Sequence, residues 1–135
     1  MQDHKKDYFK IGKRDRFEII SAIIAATQQS SSLTGIMTQS NLNYSSLRTY
    51  LRLMINTRLI EKSEIINGLK KRMTVFKSTE KGDRFLKLYC EQLIILHGKR
   101  FLENNNNIAE AYLHQYCLKN RFAKSPRLQL VRKIA

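Results

Sequence analysis

A mainly α-helical chain with one small β-hairpin (α+β) is the fold class this sequence predicts, on three observations. Apolar residues repeat at helical spacing from about residue 13 to 57. The pattern then changes to two strand-like runs on either side of Asn67-Gly68. Helical repetition returns at Glu80 and covers more of the circumference than one packing face requires. With 135 residues, 42% of them apolar, the chain is long enough for one core and too short for a large catalytic cleft.

Residues 1–12 are polar and charged and read as a flexible basic arm. The first helix is predicted from Lys13 to about Gln29, with Phe17, Ile20, Ile23 and Ile24 turned inward. Its apolar run from Ile19 to Ala26 mimics a signal peptide. Glu18 and Ser21 interrupt it, its repeat is helical, and it is far too short to span a bilayer. The cytoplasm is the expected location. Ser30-Ser31-Ser32 closes the helix, and a short second helix runs from about Leu33 to Ser40, with Thr34 as an early-turn or cap residue. Asn41 or Asn43 caps a third helix reaching about Thr57, along which Leu47, Leu51, Met54 and Ile55 form one apolar stripe. Two short helices joined by a polar turn make a helix-turn-helix.

Leu59 to Ile65 and Arg72 to Ser78 are the predicted strands, joined through Asn67-Gly68 as a type I′ turn. Folding on that turn opposes Leu59 to Phe76, Ile60 to Val75 and Glu64 to Lys71, and gathers Lys70, Lys71 and Arg72 at the tip. A basic hairpin after a helix-turn-helix is a wing, so residues 13–79 read as a winged helix-turn-helix. The long helix of residues 80–97 has one stripe for the core and a second to be covered by another copy of itself or by the C-terminal segment folding back. After the polar stretch Asn104 to Asn107, residues 98–135 add a helical extension with Ile108, Ala111, Tyr112 and Tyr116 on one side. Ser125-Pro126 ends it, and from Lys119 onward the chain is a basic tail with six basic residues and no acidic one.

Charge points to the partner. The net charge is +14, from 25 Lys and Arg against 11 Asp and Glu. Such a surplus repels itself and persists where the partner is anionic. Between Glu18 and Glu61 there is no acid in 42 residues. The third helix, at the centre of that window, offers Ser45, Ser46, Arg48, Thr49 and Arg52 off its apolar stripe. Small hydroxyls permit close approach, and arginines grip phosphate or guanine. Enzymatic chemistry is not expected. Gly12, Gly35, Gly68, Gly82 and Gly98 are isolated and build no phosphate loop, and the three histidines form no nucleophile or metal arrangement. Cys90 and Cys117 read as free thiols, and His114 with Cys117 as structural. No catalytic residue, metal or cofactor is predicted, and neither a membrane nor a small-molecule substrate is an expected partner.

The sequence resembles the small winged-helix transcription regulators of archaea and their viruses, over roughly residues 14–97. The resemblance is carried by Arg14-x-Arg16-x-Glu18-Ile19-Ile20, Thr34-x-Ile36-Met37, Asn41-Leu42-Asn43-Tyr44-x-x-Leu47 and Tyr50-Leu51. It continues with Leu59-Ile60 and Phe76-x-x-Thr79-Glu80-Lys81-Gly82-x-x-Phe85-Leu86. Each piece is weak alone, and their order and spacing are what is specific. It implies a homodimer joined through the long helix, at Phe85, Leu86, Tyr89, Leu93 and Leu96, with the third helix in the major groove of double-stranded DNA. The DNA-binding set it implies is Thr34, Asn43, Ser45, Ser46, Arg48, Thr49 and Arg52, with Lys70, Lys71 and Arg72 from the wing. Asn43 stands where such proteins often carry Ser, which leaves capping intact, and residues 98–135 extend beyond the usual end. The expected function is sequence-specific transcription regulation. The alternatives are a non-specific architectural DNA-binding protein and a winged-helix protein-interaction module of a transcription complex.

Overall fold

The structure, a computed structural model, describes residues 14–98, 100–101 and 107–119, with side chains as far as residue 115. In chain order it runs α1 (Arg16–Ala26), α2 (Leu33–Ser40), α3 (Tyr44–Asn56), β1 (Ile60–Ile66), β2 (Arg72–Ser78), α4 (Glu80–His97) and α5 (Asn107–Lys119). This is a winged helix, mainly helical with a two-stranded antiparallel hairpin, as the α+β reading expected. The expectations for the arm at 1–12, the stop at Ser125-Pro126 and the basic tail lie outside the described residues.

Each of the first four helices starts on a side-chain acceptor, which satisfies one of the backbone N–H groups a helix start leaves open. Asp15, Ser32, Asn43 and Thr79 accept from the N–H of Glu18, Gly35, Ser46 and Gly82. The cap of α2 is thus Ser32, and Thr34 sits exposed in the first turn. α1 ends earlier than its pattern predicts. Thr27 turns its hydroxyl back onto the carbonyls of Ile23 and Ile24 (2.9 and 3.1 Å) and becomes the C-cap.

Phe17 does not face inward, contrary to expectation: it is 60% exposed. The first turn of α1 lies beyond the core, and there the Phe17 ring meets Phe85 of α4 at 6.1 Å between centroids. Ile20, Ile23 and Ile24 are buried, so the signal-like run is a core helix.

The hairpin forms where predicted, but its register and turn differ. Ile60 pairs with Ser78, Lys62 with Phe76, Ser63 with Val75 and Glu64 with Thr74. This is three residues away from the predicted pairing. Because side chains alternate across a sheet, an odd shift exchanges the faces of one strand relative to the other. The reason lies in the turn. Gly68 keeps a negative φ, and the left-handed residue is Lys70 (φ 59°). Asn67 spends its side chain on the N–H groups of Leu69 and Lys71 (2.9 and 3.0 Å) and widens the loop beyond two residues. Ser31 also joins the hairpin: its N–H and C=O exchange bonds with Phe76 (2.9 and 2.8 Å), which ties the α1–α2 loop to β2.

One core serves all the helices. Ile23 and Ile24 of α1, Ile36 of α2, Leu47 and Met54 of α3, Ile60 of β1, and Leu86 and Cys90 of α4 are at most 1% exposed. Gly82 lets α4 start against the end of α3, since a Cβ there would overlap the Leu59 carbonyl. α5 folds back onto α1 and α4, burying Ile108, Ala109, Ala111, Tyr112 and Leu113. The side chain of Tyr116 lies outside the described residues. Covering by the C-terminal segment therefore accounts for part of the second stripe of α4. Leu88, Ile95 and Leu96 remain 58%, 82% and 74% exposed.

Candidate nucleic-acid interface

The turn between α2 and α3 is built to hold α3 at a fixed angle. Asn41 adopts the left-handed conformation (φ 53°) as C-cap of α2, a conformation Asn tolerates better than most residues. The Arg14 guanidinium then donates to the carbonyls of Ser40 (2.6 Å) and Asn41 (2.8 Å), the carbonyls a helix end leaves open. At the far end, Lys81 Nζ donates to the Thr57 carbonyl (2.7 Å) and the Thr79 hydroxyl to that of Arg58 (2.6 Å). α3 is thus pinned at both ends by residues from other parts of the chain.

Its packing phase decides what is left to act. Leu47, Leu51 and Met54 face the core. The directly opposite line at spacings of three and four carries Ser45, Thr49, Arg52 or Leu53, and Asn56, all exposed. The predicted residues divide accordingly. Ser45, Thr49 and Arg52 stand on the outer line. Ser46 is half-buried on one flank, and Arg48 is exposed on the other flank, toward the hairpin. Asn43 is exposed, and its side chain is committed to capping.

Leu53, 42% exposed, and Asn56 are additions that the sequence reading missed. The signal was present: both are one helical step from Thr49 and Arg52, off the apolar stripe. Leu53 was passed over because its chemistry suggests the core.

Between α3 and the hairpin lies a cleft of about 440 Å³. Leu51, Ile55, Leu33 and Phe76 contribute its apolar lining, and Arg48, Arg52 and Lys62 line it with positive charge. Lys62 is a third residue the sequence reading missed. It becomes visible once the register puts it opposite Phe76, on the face turned toward α3. Among the described residues, none of these three cations has a carboxylate partner within 4 Å. Arg72 pairs with Glu64 and Lys87 with Glu91, both at 4.0 Å. Lys70, Lys71 and Arg72 are exposed at the hairpin tip, with Arg72 partly neutralised by Glu64.

The surface of α4 divides differently from the expected interface set. Leu86 is fully buried in its own core, because Gly82, Leu86 and Cys90 share the inward face at four-residue spacing. Phe85, Tyr89 and Leu93 are half-buried, and Leu96 is exposed. The apolar surface left outside consists of Leu96 with Phe17, Leu88 and Ile95.

The buried chemistry elsewhere is structural. Burial pushes the Cys90 thiol up to about 12 and holds the Tyr89 hydroxyl well above its ordinary range. The side chain of Cys117 lies outside the described residues. Gln28 links the end of α1 to Ser78 (3.0 Å) and Asp83 (2.8 Å), and Gln115 of α5 donates to Gln28 (2.7 Å). Among the described residues no group of three or more His, Cys, Asp or Glu could hold a metal ion, and no helix is long and apolar enough to cross a membrane.

A family model described as a winged helix-turn-helix matches residues 13–95, more than half of the chain. No curated protein matches it.

Proposed function

Since the chain belongs to the winged helix-turn-helix family, whose typical work is binding DNA without catalysis, we propose that it is a sequence-specific regulator of transcription. It binds double-stranded DNA as a homodimer in the cytoplasm, as the archaeal regulators that its sequence resembles are expected to do. α3 enters the major groove, and the wing lies on the flanking groove and backbone.

The observation that carries this reading is the outer line of α3, exposed and free of acid, beside a cleft lined by Arg48, Arg52 and Lys62. A phosphate backbone passing through that cleft meets three cations, while Ser45, Thr49, Leu53 and Asn56 meet base edges. Asn suits adenine, and an aliphatic side chain suits the thymine methyl. Arg48 thereby becomes a phosphate contact. Phe17, Leu88, Ile95 and Leu96 supply the apolar surface for a second copy, with Phe85, Tyr89 and Leu93 at its edge.

Selection of bound duplexes from a random library by the purified protein tests the reading. The expected result is an enriched inverted repeat whose half-site spacing equals the separation of the two α3 helices. Recovery without enrichment replaces it with architectural binding. No recovery at low salt replaces it with a protein-interaction module.

A further inference from the structure

The wing ends in a feature that phosphate binding does not explain. Ile66 and Leu69, at the very tip, are 72% and 79% exposed. Ile65 is also open, but it pairs across the strands with half-buried Met73, so its exposure belongs to an ordinary apolar pair. Ile66 pairs with the exposed Arg72, and Leu69 stands in the loop. By the two-residue alternation of a strand, Ile66 shares the face of Lys62, the face that turns toward α3.

Two further observations say what this tip fits. From Ile65 to Arg72 the chain has three cations and no carboxylate, and with Glu64 paired to Arg72 beside them the apolar tip is flanked by a net positive charge from Lys70 and Lys71. The loop is also preformed. Asn67 holds the N–H groups of Leu69 and Lys71 with its side chain, its own N–H reaches the Lys71 carbonyl (3.0 Å), and its carbonyl accepts from Lys70 (2.9 Å). A preformed apolar point flanked by cations matches a polyanion with an apolar interior, which is what a base stack between two phosphate backbones offers.

We propose that Ile66 and Leu69 form a wedge that enters the minor groove beside the site read by α3, partly unstacks one base step and bends the duplex. Lys70 and Lys71 hold the flanking phosphates, and Arg72 exchanges its weak pair with Glu64 for one of them. This rests on the DNA-binding reading and deepens it. Part of the sequence preference then comes from base pairs that no side chain reads, since flexible pyrimidine–purine steps open most easily.

The test uses the full chain and a duplex recovered from the selection. The duplex is end-labelled for energy transfer and carries 2-aminopurine at the step beneath the wing. The expected result is a bent duplex with raised 2-aminopurine emission. In the double variant Ile66→Ser, Leu69→Ser, both signals are lost while affinity stays within about tenfold, because the unstacking cost no longer incurred offsets the lost burial. Ile66→Val, Leu69→Met restores them. Tight binding to a straight, stacked duplex overturns the wedge and leaves the DNA-binding reading intact, as does a serine variant that bends DNA like the parent. Failure of the parent to bind any duplex overturns both. A serine variant that changes self-association and leaves the bend unchanged assigns the tip to a protein contact and overturns the wedge.

Discussion

At the scale of single residues, α3 separates positions that hold the helix from positions free to read. Asn43 Oδ1 accepts from the Ser46 N–H, 2.8 Å away, so the side chain holds the start of the helix. Asn43→Ala should therefore destabilise the fold by about 1 kcal/mol in thermal melts and weaken binding to all duplexes alike. Asn56 has no such duty. Asn56→Ala should relax preference at one base pair, at a cost of about 1–3 kcal/mol on the selected site, with the melting curve unchanged. Arg48→Ala should lower affinity evenly across sequences and reduce the slope of log affinity against log salt by roughly one. Competition titrations against single-base variants of the site distinguish these outcomes. Ser45, Thr49 and Arg52 were legible as outward residues because composition and periodicity agree there. Leu53 was not, since an aliphatic residue on the outer line is silent until the packing phase is seen. Glu18 adds a smaller effect. Burial, helped by Asp15 and opposed by Arg14, raises its carboxyl above the ordinary value. A raised acid favours the folded state only while it is protonated. Stability should therefore fall as pH rises from the ordinary carboxylate value through the folded one. Glu18→Gln should gain stability over the parent at neutral pH and none in strong acid, as denaturant titrations at both pH values will show.

Elements succeed or fail at their joints. The starts of α2, α3 and α4 were legible because Ser32, Asn43 and Thr79 stand just before a helical repeat, whereas the start of α1 on Asp15 was placed too early, at Lys13. The hairpin's existence was legible, and its register was not. Asn-Gly suits a two-residue turn, but the tertiary structure uses the Asn side chain to support a longer one, and a three-residue slip follows. The bridge between Ser31 and Phe76 was hidden because a single paired residue carries no periodicity. The joint between α3 and α4 depends on Gly82, whose missing side chain leaves room for the Leu59 carbonyl. Gly82→Ala should cost about 1–3 kcal/mol in denaturant unfolding through forced displacement of that backbone. It should also weaken DNA binding, because the same joint sets where α3 ends. On α4, the inward face at Leu86 and Cys90 is fully occupied, while Ile95 and Leu96 lie open. The double variant Ile95→Glu, Leu96→Glu should keep the fold and sediment as a monomer where the parent sediments as a dimer. Its affinity for an inverted repeat should drop to that for one half-site.

Across the whole molecule, charge and apolar surface are sorted. Among the described residues Arg48, Arg52 and Lys62, none with a carboxylate partner, share the cleft beside α3, while the open aliphatic residues other than Leu53 lie on α4 and the wing. If a dimer neutralises about six phosphates, log affinity against log salt should have a slope near −5. The charge surplus was legible from composition alone. The meeting of Arg48, Arg52 and Lys62 in one cleft was not, because Lys62 reaches that cleft only through the register of a hairpin. The same layout gives three joints their unusual backbone: Asn41 before α3, Arg58 after it and Lys70 at the wing tip all have positive φ. Asn is at home there, but for Arg and Lys the conformation costs roughly 1–2 kcal/mol that glycine would not incur. Selection for heat resistance alone would therefore favour glycine at 58 and 70. A lineage improved in that way would melt later and, by giving up Lys70 at the wing tip, hold its proposed target less firmly in exchange for an easier chain.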